Sequence, residues 1–274
     1  MLMDDLLSPV ALAVLVAVTS WWLGTGVILW LVRLPPRLFR TSMSGVTVLL
    51  LLSLAGTAWS MRQVSVAADY VGFICVILMW SWHEMAFLSG WVTGPRRVPQ
   101  DPAASGWRRF ALAVQALLYH ELALLLNFLV LCLMQSSQPN HVALCTFALL
   151  WCMRLSAKLN LYFGVPQVGE QYLPGHLAYM ASYFRKSSVT GCFYLTMTLS
   201  TGTWLWLVLQ AHRGAVEVST GWVLLASLLG LAIIEHVLMM FALPLQRLWG
   251  WAMRHRAVTP VVPASGLPTQ ADRI

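Results

Sequence analysis

Residues Tyr70–Trp91 read YVGFICVILMWSWHEMAFLSGW, an apolar run that is interrupted towards its C-terminal end by the ionisable pair His83-Glu84. The run is long enough to cross the hydrocarbon core of a membrane, which takes about 20 mostly apolar residues in a helix. Ionisable side chains are costly in hydrocarbon, so they are rare there unless they serve a function. This stretch therefore predicts a membrane-spanning helix that contributes polar groups to a functional site.

Six further segments have a similar length and hydropathy, so we predict an all-α polytopic membrane bundle of about seven transmembrane helices. The predicted spans are Pro9–Val32, Gly45–Met61, Tyr70–Trp91, Phe110–Met134, Val142–Phe163, Val189–Ala211 and Gly221–Leu243. Among the 274 residues 59% are apolar and only 10% are charged, which excludes an ordinary soluble domain. We expect residues 1–256 to form a single transmembrane domain. Residues 257–274 are rich in Pro, Ala, Ser and Thr and are predicted to be a disordered cytoplasmic tail.

The positions of lysine and arginine predict the orientation of the bundle, because these residues concentrate in cytoplasmic loops. The loops after the first, third and fifth spans and the C-terminal tail hold Arg33, Arg37, Arg40, Arg96, Arg97, Arg108, Arg109, Arg185, Lys186, Arg247, Arg254, Arg256 and Arg273. The other side has only Arg62 and Arg213. We therefore expect the N-terminus outside and the C-terminus inside. The net charge of +7 indicates contact with the lipid bilayer and not with nucleic acid, because no basic run is interleaved with exposed aromatic residues.

Two more pairs of the same residue types, His120-Glu121 and Glu235-His236, lie inside other predicted spans. At about 1.5 Å per residue, His83-Glu84 and Glu235-His236 lie ~20 Å from the outer ends of their helices, and His120-Glu121 lies ~16 Å from the cytoplasmic end. In a core about 30 Å thick these depths nearly coincide, slightly to the cytoplasmic side of the middle. Arg154 of the fifth span falls in the same layer. We expect four spans to turn these groups towards one another.

Several chemistries fit such a layer. Imidazoles and carboxylates bind zinc, iron or manganese, so the candidate ligands of a transition metal are His83, Glu84, His120, Glu121, Glu235 and His236. The three histidines are also candidate axial ligands of a cofactor or members of a proton relay. The remaining alternative is a buried hydrogen-bonded network without metal, in which Arg154 neutralises the carboxylates. The HExxH and ExxH spacings of known metal sites do not occur.

Features outside this layer have simpler explanations. Lys158 lies near the cytoplasmic end of the fifth span and is expected to extend towards the membrane surface. The deeper tryptophans are expected to pack in the core or contact lipid, and the alternative is that they present flat faces to a pigment. They are Trp21, Trp22, Trp80, Trp82, Trp204 and Trp206. The connection after the fifth span places apolar residues at near-helical spacing and predicts a short interfacial helix. These apolar residues are Leu177, Tyr179, Met180, Tyr183 and Phe184.

Several strings along the chain resemble the PuhE-type photosynthetic complex assembly proteins. They are Trp82-His83-Glu84-Met85-Ala86-Phe87, Thr93-Gly94-Pro95-Arg96-Arg97, Tyr119-His120-Glu121-Leu122, Lys158-Leu159-Asn160-Leu161, Gly164-Val165-Pro166, Leu173-Pro174-Gly175-His176-Leu177 and Ser182-Tyr183-Phe184. The similarity extends from the third span to the seventh. The chain departs from it at Gly175, where the resemblance would place a glutamate.

The resemblance implies a multi-pass protein of a bacterial cytoplasmic or intracytoplasmic membrane. Its implied role is the assembly of the reaction centre and light-harvesting complex, with photosynthetic complex subunits as partners and a tetrapyrrole pigment as a possible ligand. A bacteriochlorophyll or haem would need an axial nitrogen, for which His83, His120 and His236 are the candidates. A membrane metalloenzyme acting on a lipid-soluble precursor is the alternative, and a proton-coupled transporter is a third hypothesis. The resemblance assigns no catalytic residue.

Overall fold

A computed structural model describes residues 8–170, 173–214, 216–241 and 249–253 of the chain. Its seven long helices are α1 (Pro9–Val32), α2 (Phe39–Met61), α3 (Val66–Leu88), α4 (Gly106–Gln135), α5 (Val142–Phe163), α6 (Gly191–Arg213) and α7 (Val216–Leu238), followed by the short α8 (Gly250–Met253). All seven are long and apolar enough to cross a membrane, so the protein is a multi-pass membrane protein. The predicted fold class and number of spans are confirmed. The orientation stays a prediction, and the predicted tail at 257–274 lies outside the described residues.

Local sequence explains where several helices begin and end. Ser8 caps α1 by accepting a hydrogen bond from the Ala11 N–H, with Pro9 at the first helical position. Ser65 caps α3 in the same way through the Ala68 N–H. The second helix begins at Phe39, earlier than the predicted Gly45. Polar residues at 41, 42 and 44 lower the hydropathy of its first turns without breaking its backbone.

Helix α3, which carries His83-Glu84, lies at the centre of the bundle. It packs against α1, α2, α5 and α7, and its residues Phe73, Val76 and Met79 have no exposed surface. Helix α6 packs mainly against α7 at the periphery. Large apolar side chains on the outer helices, such as Leu133, are exposed, as expected for a surface that faces lipid.

Two central helices end soon after their charged residues. α3 ends at Leu88, about one turn beyond Glu84, and α7 ends at Leu238, about half a turn beyond His236. The prediction that the third span continues to Trp91 is wrong. The predicted end of the seventh span, Leu243, lies outside the described residues. Gly90 adopts a φ of +79°, a left-handed conformation that ends a helix at little cost only for glycine. Helix α5, in contrast, continues well beyond its charged residue Arg154 and ends at Phe163.

The space left below α3 is filled by the loop that follows it. The Thr93 carbonyl accepts a hydrogen bond from the His120 N–H at 2.9 Å. A Cβ atom on Gly94 would lie only 2.0 Å from the Gln115 carbonyl oxygen, so this glycine allows the loop to lie directly against the backbone of α4. Irregular backbone at membrane depth is tolerated where it is buried within protein.

The connection between α5 and α6 also turns inward. The predicted interfacial helix forms as a 3-10 segment, Gly175–Tyr183. Its side chains Leu177, Met180 and Tyr183 are buried, and the Tyr183 hydroxyl donates to the Val98 carbonyl at 2.9 Å. The segment therefore covers the end of the bundle that carries the predicted cytoplasmic arginines. This end is called the basic end below.

Candidate functional site

The charged layer contains a bidentate ion pair between α3 and α5. Arg154 donates from Nε and Nη2 to Glu84 Oε1, at 3.1 and 2.8 Å, and from Nη2 to Oε2 at 2.8 Å. Trp80, one turn before Glu84 on the same helix, donates its indole N–H to Oε1 at 3.1 Å. Arg154 therefore bonds directly to one carboxylate of the layer, and its functional role there stays a prediction.

A second pair joins α4 to α5. Lys158 donates to Glu121 Oε1, and the Trp151 indole N–H donates to Oε2 at 3.1 Å. The expectation that Lys158 extends towards the membrane surface is therefore wrong. Lys158 follows Arg154 by one helical turn, and residues at this spacing lie on the same helix face. Both cations of α5 consequently point into the bundle.

The third carboxylate, Glu235 of α7, has a different environment. Its Oε1 accepts a hydrogen bond from the Trp21 indole N–H of α1 at 2.8 Å. The three ion pairs formed among the described residues are Arg154–Glu84, Lys158–Glu121 and the peripheral Arg108–Asp101. Glu235 is in none of them, so it forms no direct salt bridge with a described residue, and the charge of Arg154 acts on it only at longer range.

The three histidines are buried beside the charged layer and are held by other groups. His83 is 3% exposed, and its Nε2 lies 2.9 Å from the Asn127 amide. His236 contacts the Ser156 hydroxyl through Nε2 at 2.9 Å and the Ala232 carbonyl through Nδ1 at 2.8 Å. His120 is 2% exposed and packs its ring 4.6 Å from that of Phe87.

The six candidate metal ligands do not converge. Within the residues that the structure describes, no three His, Cys, Asp or Glu side chains are grouped closely enough to hold a metal ion. The carboxylates of Glu84 and Glu121 are occupied by Arg154 and Lys158, as in a hydrogen-bonded network. This donor set does not fit a metal centre, and the predicted metal site stays a prediction that the arrangement does not support.

A cavity of about 550 Å³ opens between α1, α3, α4, α5 and α7. It extends from the charged layer towards the basic end, where the early ends of α3 and α7 leave room. Its walls include Trp21, Trp80, Phe87, Met180, Tyr183 and Trp249, and its charged lining residues are Glu84, Arg154, Lys158 and Glu235. None of the three candidate axial histidines is among the lining residues.

The accessible surface of Arg154 shows that the cavity reaches the charged layer. Its side chain is 47% exposed, although it lies in the middle of α5 and is bound to a Glu84 side chain that is only 12% exposed. Arg154 lines the cavity, so a bound molecule could approach its guanidinium. Volumes of a few hundred cubic ångströms with mostly apolar walls and a few polar groups are typical of small-molecule sites.

A second, more open groove of about 780 Å³ lies at the surface of the basic end. It is lined by the first residues of α4 and the last residues of α5, with Arg109 and Arg185. Arg109 is held over the Tyr162 ring at 4.3 Å. This groove shares Tyr162 with the cavity, but none of the charged-layer residues lines it.

The sequence interpretation missed several residues of the site. Trp80 and Lys158 carried a signal, since each lies one turn from a charged residue of the same helix. Trp21 and Trp151 contact carboxylates on other helices, and nothing in their own segments indicates this. Asn127 and Ser156, the partners of His83 and His236, were also missed.

Comparisons with known proteins identify relatives of the chain. Residues 7–259 match the family described as "Protein of unknown function (DUF3623)". A relative from Rhodobacter capsulatus, described as "Uncharacterized 30.4 kDa protein in puhA 5'region", is 38% identical over 249 residues, which cover 87% of this chain and 90% of the relative. No solved structure matches the chain.

Proposed function

The chain belongs to the family described as protein of unknown function DUF3623, and we propose that it is an integral membrane factor for assembly of the bacterial photosynthetic reaction centre and light-harvesting complex. In this proposal the protein acts by holding a lipid-soluble molecule in its internal cavity. Photosynthetic complex subunits would receive that molecule or be matured with it. The proposed location is the bacterial cytoplasmic or intracytoplasmic membrane.

Two observations from comparison support the photosynthetic part of the proposal. The Rhodobacter capsulatus relative is described by its position in the puhA 5' region, which agrees with a role in the photosynthetic apparatus. The strings around His83-Glu84, His120-Glu121 and Pro174-Gly175-His176 resemble the assembly proteins named above. The relative is itself uncharacterized, so the activity has to be inferred from the site.

The observation that carries the molecular part is the cavity with its charged layer. A structural ion-pair network would be stabilised by complete packing, because voids in a core are costly. Here Arg154 and Glu235 instead line a space of about 550 Å³ with aromatic walls. This favours the binding of an amphipathic small molecule over a metal-dependent reaction. Binding of a tetrapyrrole through an axial histidine stays a prediction, since the cavity is lined by Glu84 and Glu235 and not by the histidines of the layer.

A complementation experiment in a phototrophic bacterium that carries the gene tests this function. Deletion should lower the absorbance of the assembled reaction centre and light-harvesting complex in isolated membranes, and the wild-type gene should restore it. Ala157→Phe fills the cavity from α5 and should fail to restore the complex. Leu155→Phe is the matched control, because Leu155 lies on the same helix with 44% of its surface exposed.

Unchanged complex levels in the deletion strain would refute the photosynthetic role. Full complementation by Ala157→Phe would refute the role of the cavity while leaving the assembly function in place. Absorption spectra of the purified protein in mild detergent, with elemental analysis, report whether a tetrapyrrole or a metal is the molecule that it holds.

A further inference from the structure

We propose that the cavity selects an amphipathic molecule whose polar end is positively charged, and that this end binds at Glu235. The inference goes beyond the proposed function, because it assigns the charge of the bound molecule and the residue at which its polar end binds. It rests on the proposed function only in taking the cavity as the binding site.

The charged layer lacks one positive charge among its described residues. It holds the carboxylates of Glu84, Glu121 and Glu235, but only the cations of Arg154 and Lys158. Each cation is already paired, Arg154 with Glu84 and Lys158 with Glu121. A carboxylate removed from bulk water is costly unless it has a partner, so a cation entering the cavity would complete the third pair.

The position of Glu235 suits this role. It lines the cavity and lies on α7 about one turn before the helix ends at Leu238. Its Oε1 accepts one hydrogen bond, from Trp21, and the described residues give Oε2 none. Glu84, in contrast, receives all of its bonds from Trp80 and Arg154. Glu235 is therefore the carboxylate of the cavity that retains acceptor capacity for a ligand.

Aromatic rings around Glu235 add a second attraction for a cation. Trp21, which donates to Glu235, packs against Trp249 with ring centroids 5.5 Å apart. Trp80 lines the same cavity from α3. The faces of indole rings attract substituted ammonium and similar cations, and a carboxylate beside such rings strengthens the effect. An anion would instead meet the carboxylates of Glu84 and Glu235 and two cations that are already paired.

The remainder of the cavity determines the rest of the ligand. From the charged layer to the basic end its walls are mainly aliphatic and aromatic, with Leu88, Leu161 and Phe184 among them. A bound molecule therefore places its charged end at mid-membrane depth and its apolar body towards the 3-10 segment. The ligand class is a lipid-soluble organic cation.

Two probes of equal shape and opposite charge test the proposal on the full-length protein in mild detergent. Tetraphenylphosphonium and tetraphenylborate are titrated separately, and binding is measured by equilibrium dialysis. The phosphonium should bind about tenfold or more tightly than the borate, since a carboxylate and indole faces together contribute at least the ~1.4 kcal/mol that corresponds to a factor of ten. Equal binding, or tighter binding of the borate, would overturn the proposal.

Substitutions locate the selectivity. Glu235→Gln should reduce phosphonium affinity about tenfold or more, whereas Asp101→Asn, which removes an acidic group at the basic end, should leave it unchanged. If Glu235→Gln does not fold, Thr25→Lys serves instead. Thr25 lines the cavity one turn from Trp21, so a lysine there supplies the missing charge and should abolish phosphonium binding. Thr25→Met, of similar length without charge, should keep the preference for the phosphonium over the borate.

The outcome is separable from that of the proposed function. A tetrapyrrole that co-purifies with the protein and is retained by Glu235→Gln would support the assembly role and overturn the cation site. Loss of the phosphonium preference in Glu235→Gln would support the cation site even if the deletion strain assembles normal complexes. Phosphonium binding that persists in Glu235→Gln would show attraction to another part of the surface and would refute the assignment to Glu235.

Discussion

Replacement of Arg154 by methionine should strongly destabilise the bundle. Arg154 supplies three of the four hydrogen bonds that Glu84 accepts, at 2.8 to 3.1 Å, and Trp80 supplies the fourth. In the variant, Glu84 keeps its position in α3 with only the indole N–H as a partner. Methionine retains much of the apolar stem of arginine, so the loss is mainly one of charge and hydrogen bonding.

The structure sets the expected magnitude. Breaking a buried ion pair by removing one partner costs about 3–5 kcal/mol. The Arg154 side chain is 47% exposed to the cavity, so water reaches part of the pair, and we expect a loss of about 2–3 kcal/mol. Arg108→Met removes the same group from a peripheral pair in which Arg108 is 68% exposed, and it should cost less than about 1 kcal/mol.

Unfolding by sodium dodecyl sulfate, followed by far-UV circular dichroism in mixed micelles, measures both losses. A third variant combines Arg154→Met with Glu84→Gln. Because it removes the uncompensated carboxylate, it should regain part of the stability lost in the single variant. If Arg154→Met costs no more than Arg108→Met, or if Glu84→Gln adds a further loss, the ion pair is not what stabilises this layer.

Three further outcomes are expected. Gly221→Ala should lower the stability of the bundle by about 1–3 kcal/mol, because the added Cβ would lie 2.5 Å from Val142 Cγ2. The control Gly202→Ala adds a Cβ with nothing within 4 Å, so it should be neutral or stabilising by up to about 1 kcal/mol. An equal loss of stability in both variants would contradict the packing around Gly221. Asn127→Leu should cost about 1–3 kcal/mol in the same unfolding assay by leaving His83 Nε2 without a partner, and a neutral result would show that this contact contributes nothing. The arginine distribution predicts a cytoplasmic C-terminus. A fluorescent protein fused there should therefore fluoresce, and an alkaline phosphatase fused there should be inactive. The reverse pattern would show that the predicted orientation is wrong.

The spans were predictable because their physical cause is local. A helix that crosses a membrane must satisfy its backbone groups internally and present about 20 apolar side chains, and both requirements are visible in one segment. The bounds of α1 and α5 agree with the prediction at both ends. The end of α3 was missed, because the residues after Leu88 remain apolar and Gly90 alone does not identify a helix end.

The rotation of the helices was less accessible. A surface helix of a soluble protein shows which side faces inward by its polar stripe, but α3, α5 and α7 are apolar on most sides. Adjacent residues such as His83 and Glu84 point about 100° apart, so only one of them could face the centre. The sequence did not indicate which, and the histidines were given the axial role that their chemistry allows.

The amino-acid sequence by itself determined that this is a seven-helix membrane protein with His83-Glu84, His120-Glu121, Glu235-His236 and Arg154 inside its spans, because hydropathy and helix length are properties of single segments. Only the tertiary structure decided that the carboxylates Glu84 and Glu235 line a cavity, while His83 and His236 bind neighbouring polar groups and His120 packs against Phe87. It also decided that Lys158 pairs with Glu121 and that Glu235 forms no direct salt bridge with a described residue. The physical reason is that pairing depends on the rotation and register of helices that are far apart in the sequence.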